Sequence, residues 1–377
     1  MKRLSALLFL ITGFTSLWGE QLYVEAGDYR INIPVRWSIY DKTDVSNLSI
    51  ISDDQSVIFQ ISYYEGDQFE DVTDMYRFFA DGIGAEEADK STLSYLDWNT
   101  LIADVSFDSG GNLFRGWFMF LEGEEFDYQV IAFSPQQDYE KTFRYILSCL
   151  DSFAPGEEAR RYPGVISRMT YQEENAVYEK KTDFLDGRAL VYDYDEVEFQ
   201  ASQTVIEREA VILTNYESGS SEAAFAWDRY YKLIYRDNYS RLEPIYHSLK
   251  PHMAGKSDLE VAESLLDWLQ GFEYGSSNTF SDLLSPLESL VSGVGDCDSL
   301  ALAYLILLDY FEIEGILLVS EVYHHAMAGV AVERGGYTFP FRGKSYLVTE
   351  LTKDVEMGMI AQNMSDPQGW LGISLTD

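Results

Sequence analysis

The chain has 377 residues, 46% of them hydrophobic, enough apolar surface for two or three domains with cores of their own. Its 63 Asp and Glu outnumber 27 Lys and Arg, for a formal charge of −36, so phosphate backbones and anionic lipid head groups are repelled. Neither nucleic acid nor direct membrane binding is expected; basic peptides, divalent cations or simply a charged soluble surface fit that balance.

Met1, Lys2 and Arg3 precede an apolar run over 4–18, which is shorter than the roughly 20 residues of a membrane-spanning helix. Gly19 supplies a small residue at its end. This order predicts a signal peptide over 1–19, cleavage near Gly19 and an exported protein, periplasmic or secreted; an uncleaved anchor is the alternative. Loss of Lys2 and Arg3 takes the charge from −36 to about −38. With no cysteine at the end of the run, lipid attachment there is not expected.

Residues 20–153 read as an α+β domain. Strands are predicted over 29–33, 57–64, 101–107 and 113–121, interrupted by two helical stretches. The second helix is expected to begin with Ser134 as cap and Pro135 at its first position, with Phe143, Ile146, Leu147 and Leu150 following at helical spacing. Cys149 falls inside that apolar pattern as a core thiol, expected to stay unbridged to Cys297. Ile33-Pro34-Val35-Arg36-Trp37, the strand-rich middle and a closing helix ending Leu150-Asp151-Ser152-Phe153 resemble the PsbP-like α/β/α sandwich family. The resemblance implies an antiparallel sheet with packed helices, and a binding or scaffolding module without catalytic residues.

Residues 154–164 are polar and contain Pro and Gly, and read as a linker. A β-rich connecting region is expected over 165–224, with strands at 189–194 and 205–213. Between them Asp193-Tyr194-Asp195-Glu196 lacks the glycine and spaced ligands of a calcium loop and reads as a solvated turn. From 222 onward the period turns helical, with Ala226, Tyr230, Leu233 and Ile234 on one side. Ser257-Asp258-Leu259-Glu260 matches a capping box ahead of the stripe Leu259, Ala262, Leu265, Leu266 and Leu269.

The segment 293–308 carries the most chemical information. Gly293, Gly295 and Asp296 lead into Cys297, and the residues beyond form a helix apolar on nearly every face, hence buried. Amides and dipole at such a helix start favour thiolate, while Asp296 and Asp298 oppose it unless they point outward or cap, so an activating histidine is required. Strands follow at 315–320 and 326–332, with His324 and His325 between them, and a third at 346–352 carries Glu350. Alternation along a strand sends His324 and His325 to opposite faces, so only one can meet Cys297. Cysteine as nucleophile, histidine as proton carrier and a carboxylate orienting the imidazole is a workable order. One cysteine with two diverging histidines is not a zinc set, and glycine-rich phosphate loops and Gly-x-Ser-x-Gly elbows are absent; no metal or cofactor is expected.

This arrangement resembles the transglutaminase-like family over 225–377. The resemblance rests on Gly295-Asp296-Cys297-Asp298, on His325-Ala326-Met327, on the acid-bearing strand at 346–352, and on Trp268-Leu269-Gln270-Gly271-Phe272-Glu273-Tyr274 upstream. It implies a transglutaminase/papain-like α+β domain with a triad of Cys297, His325 and Glu350, Gln270 as an oxyanion donor and Tyr274 lining the site. Two departures stand out: Glu where Asp is usual, and Met where an aromatic is common. The implied activity is cleavage or transfer at peptide or amide bonds of a peptide or protein substrate through a thioacyl intermediate. Water as acceptor makes a peptidase or amidase and a lysine amine makes a transglutaminase, with hydrolysis slightly favoured. A non-catalytic binding or scaffolding protein that keeps the fold is the alternative. Nothing in the sequence indicates an oligomeric state.

Overall fold

A computed structural model describes residues 15–16, 21–41, 46–66, 68–170 and 177–376. Apart from Thr15–Ser16, the expected signal peptide and its cleavage point lie outside the described residues. The chain is a mixed α+β protein with antiparallel sheets. It forms two compact units, Met1–Arg160 with Gly164–Thr170 and Arg161–Pro163 with Tyr171–Asp377. Among the described residues no helix is long and apolar enough to cross a membrane.

The first unit is built on an eight-stranded antiparallel sheet. Its longest hairpin joins Trp98–Ser109 to Asn112–Glu122 through Gly110 and Gly111, both at positive φ, the backbone a tight two-residue turn demands. Alternation then sorts the side chains. Leu101, Ala103, Phe118 and Phe120 meet Met75 and Tyr76 of the helix Val72–Ile83, which Asp71 caps and Gly84 ends. The opposite face meets the helix Tyr139–Ser152, where Trp117 Nε1 donates to the Tyr139 hydroxyl at 2.8 Å.

Two expectations here are corrected. Ser134 and Pro135 do not open the closing helix: they end the strand Phe126–Pro135, still paired with Arg115 and Phe114, and the helix starts at Tyr139. Ladder pairing wins over local capping chemistry, and Ser134 Oγ instead accepts from Thr142 Oγ1 at 2.8 Å. The segment read as a linker begins as structure. Ala154–Pro155 pairs with Tyr29 and Arg30 at the edge of a three-stranded sheet, where proline costs no ladder bond, and Gly156 N–H donates to the Asp28 carbonyl at 2.8 Å.

Among the described residues the second unit has the hairpin of Val177–Asp183 and Ala189–Asp195, then six α-helices, then a five-stranded antiparallel sheet. The strand expected at 205–213 is the second half of the helix Glu196–Leu213. Ala201, Val205, Glu209 and Ile212 are buried at three- and four-residue spacing, a helical stripe whose charged member hid the period. The acidic turn before it is that helix's N-terminus: Asp195 Oδ1 accepts from Val197 N–H at 2.9 Å, and Glu196 lies in the first turn, where the dipole favours negative charge. The capping box at Ser257 and Glu260 forms reciprocally. At the centre lies the helix Cys297–Tyr310, whose residues 300–308 are all buried and which packs on the sheet strands His325–Val330 and Gly315–Ser320.

Candidate active site around Cys297

Local geometry at Cys297 is set by the residues before it. Gly293, at φ 75°, ends the helix Pro286–Ser292, and Val294–Gly295 then pairs in parallel with Glu273–Tyr274. A side chain at 295 has no room, since a Cβ there meets Leu300 Cδ2 at 2.8 Å. Asp296 caps the new helix, its Oδ1 accepting from Ser299 N–H at 2.8 Å and Ser299 Oγ at 2.6 Å. Cys297 is therefore the first helical residue, 7% exposed.

The sheet supplies the other groups. A turn over Glu321–His324 joins Gly315–Ser320 to His325–Val330, with Ser320 Oγ accepting from Tyr323 N–H at 3.0 Å and His324 in the left-handed region at φ 48°. His324 is thus an exposed turn residue, not the strand neighbour that alternation assumed. His325 starts the strand, and the N–H of the next residue, Ala326, hydrogen-bonds the Cys297 sulfur. Thr349 pairs with Ala328, which brings Glu350 beside the imidazole, and His325 Nε2 lies 2.7 Å from Glu350 Oε2. A carboxylate acceptor makes Nε2 the protonated nitrogen, leaving Nδ1 as the ring's acceptor. Glu350 Oε1 accepts from Thr352 N–H and Oγ1, each at 2.7 Å.

Electrostatics divide the carboxylates. Burial raises Glu350, but the hydrogen bond and charge of His325, together with Thr352, carry it below the usual carboxylate range. Asp296 goes the other way, pushed up to about 6 by burial and by Asp298. Asp298 does not point away: one oxygen accepts from the Cys297 thiol at 3.3 Å, and the other from the Tyr231 hydroxyl. Burial, then the Asp298 charge, pushes the thiol well above the ordinary cysteine range, against the help of the Ala326 amide. Cys297 is consequently held as a thiol at neutral pH.

Gln270, expected as an oxyanion donor, is corrected: its amide hydrogens go to the main-chain carbonyls of Glu350 at 2.8 Å and Val355 at 3.0 Å, which uses both. Tyr274 is 68% exposed on the parallel bridge, its phenol pushed up by burial and then by the charge of Cys297. Sequence reasoning missed Tyr231 and Trp370. Trp370 stands edge-on to the His325 ring, centroids 6.3 Å apart, and is held by Nε1 donating to the Met364 carbonyl. Neither carries a spacing signal, because each reaches the site from a distant segment. Among the described residues neither Cys149 nor Cys297 forms a disulfide, and no cluster of three metal-ligating side chains occurs.

No family model and no curated protein matches the chain. Solved structures give faint likenesses. Cyanobacterial PsbP (CyanoP) from Synechocystis sp. PCC 6803 aligns at 11% identity over 36% of this chain and 91% of its own, TM-score 0.31. LpqN of Mycobacterium tuberculosis, involved in cell envelope biogenesis, aligns at 11% over 36% and 88%, TM-score 0.28. A Cytophaga hutchinsonii protein proposed as a cysteine protease aligns at 13% over 85% and 76%, TM-score 0.20.

Proposed function

We propose that the second unit is a transglutaminase-like cysteine enzyme acting on peptide or amide bonds through a thioacyl intermediate, in a protein exported after loss of residues 1–19. The observation that supports it is the 2.7 Å His325–Glu350 pair carried on the strand whose next amide touches the Cys297 sulfur. In this reading the sulfur attacks the carbonyl carbon while its proton passes to His325 Nδ1. Glu350 steadies the imidazolium through Nε2, and main-chain N–H groups at the start of the cysteine helix face the developing oxyanion. Imidazolium then protonates the leaving amine. Water or a second amine, deprotonated by the same imidazole, displaces the sulfur and regenerates the thiol.

A second reading, a binding module that retains the fold, draws on the thiol's bond to Asp298 in place of the imidazole. One experiment separates the two. Incubated with p-nitrophenyl acetate, the enzyme releases a burst of p-nitrophenol and carries an acetyl group on the Cys297 peptide, and both are lost in Cys297→Ser and His325→Ala. Added alkylamine tells transfer from hydrolysis by the product formed. A wild type that gains no adduct, or one that His325→Ala leaves intact, supports the binding module.

A further inference from the structure

The two acids flanking the nucleophile do different work. Asp296 is consumed by the helix cap, its Oδ1 engaged by Ser299. Asp298 has no such duty: its two oxygens receive the thiol of Cys297 and the hydroxyl of Tyr231, a residue of the helix Ser221–Tyr239. Tyr231 is 2% exposed and its ring stacks on Trp227, so packing holds its hydroxyl at Asp298. The other titratable groups around this cluster are Tyr230 from the same helix, Asp296 from the cap, Tyr274 from the parallel bridge, and Glu350, which meets the field at Tyr274 and pairs with His325. Only His325 among them can carry positive charge.

Resting on the cysteine-enzyme reading, we infer that Asp298, braced by Tyr231, is a positioning residue that keeps the Cys297 proton in place and the nucleophile in reserve. Seating of a substrate carbonyl breaks the S–H to Asp298 bond. The proton then goes to His325 Nδ1 as the carbon–sulfur bond forms, and Asp298 stays ionised on Tyr231. The enzyme thereby carries a protected thiol between turnovers, in contrast to a preformed thiolate–imidazolium pair.

Alkylation of Cys297 by neutral iodoacetamide across pH 6–10, located by peptide mass spectrometry on the whole protein, tests this. Asp298→Asn keeps an acceptor for the thiol but removes the charge. It should shift the pH–rate midpoint down by about one unit and raise the rate at pH 7 about tenfold. Tyr231→Phe leaves the carboxylate unbraced and should shift the midpoint upward by less. Opposite shifts are the signature, since a merely structural role moves both variants in one direction. Circular dichroism identifies any variant that fails to fold, in which case the other carries the test. Unmoved midpoints, or parallel shifts, overturn the inference. An acetyl adduct in the burst assay alongside unmoved midpoints sinks the reserve mechanism alone, whereas opposite shifts with no adduct in any form sink the enzyme reading alone.

Discussion

Gln270 holds Glu350 by its backbone: the amide at the end of the helix Asp258–Leu269 donates at 2.8 Å to the carbonyl of the residue whose carboxylate meets His325. The same amide reaches Val355, so one side chain ties the chain on both sides of the Thr352 turn. Gln270→Ala leaves two carbonyls short of a donor and is expected to cost about 1–3 kcal/mol. Thiol labelling across a urea series reads this cleanly, because Cys297 reports the second unit and Cys149 the first. Only the Cys297 midpoint should fall.

Glu350 makes stability depend on acid. Its carboxylate lies below the usual range in the folded protein, so between its folded and unfolded pKa the native state binds fewer protons than the unfolded one. The stabilisation is complete above the ordinary glutamate value of about 4.3 and is lost as pH falls through the folded value. Glu350→Gln should lower the Cys297 urea midpoint at pH 7 and flatten its decline below about pH 4. Equal slopes in variant and wild type would exclude the His325 pair as a source of acid sensitivity.

Asp296 carries the opposite sign. With its pKa pushed up to about 6, the native state binds more protons than the unfolded chain from about pH 4 upward, so stability falls as pH rises through that window. Asn is as good a helix cap and cannot ionise. Asp296→Asn should therefore remove this slope and gain no more than about 3 kcal/mol above pH 6, measured by the same urea series at pH 4, 5, 6 and 7.

Cys149 is fully buried within the closing helix of the first unit, whereas Cys297 retains 7% exposure at the start of a helix. In the folded protein a small neutral alkylating agent should modify Cys297 first, with Cys149 protected until the first unit opens. Labelling of Cys149 at the faster rate, followed by peptide mapping, would count against the described packing of the first unit.

How much of this was legible depends on whether the signal was local. The capping box at Ser257 and Glu260, the glycines before Cys297 and the alternating strands of the first unit all announce themselves within a few residues. The helix over 196–213 did not, because its buried side includes Arg208 and Glu209, and Glu209 pairs with both Arg208 and Arg229. At the site, the order of cysteine, histidine and acid along the chain was readable. The partner of the thiol was not: Tyr231 lies 67 positions from Asp298, and no periodicity links them. Gln270 shows the same limit, since an amide's type tells nothing of which carbonyls it will find.

The short parallel bridge of Glu273–Tyr274 with Val294–Gly295 has a consequence for tolerance to change. It clasps the chain on either side of an excursion over 275–293, so Tyr274 and Gly295 stay paired when exposed residues of that excursion change. Closing a longer loop over such a clasp adds only about 0.6 kcal/mol per doubling of length. Glu207 grips Thr279 and Ser281, but Asn278 is exposed. Extra residues inserted beside Asn278 should leave the setting of Cys297 intact, which makes that point of the excursion the place where new surface can be added at little cost.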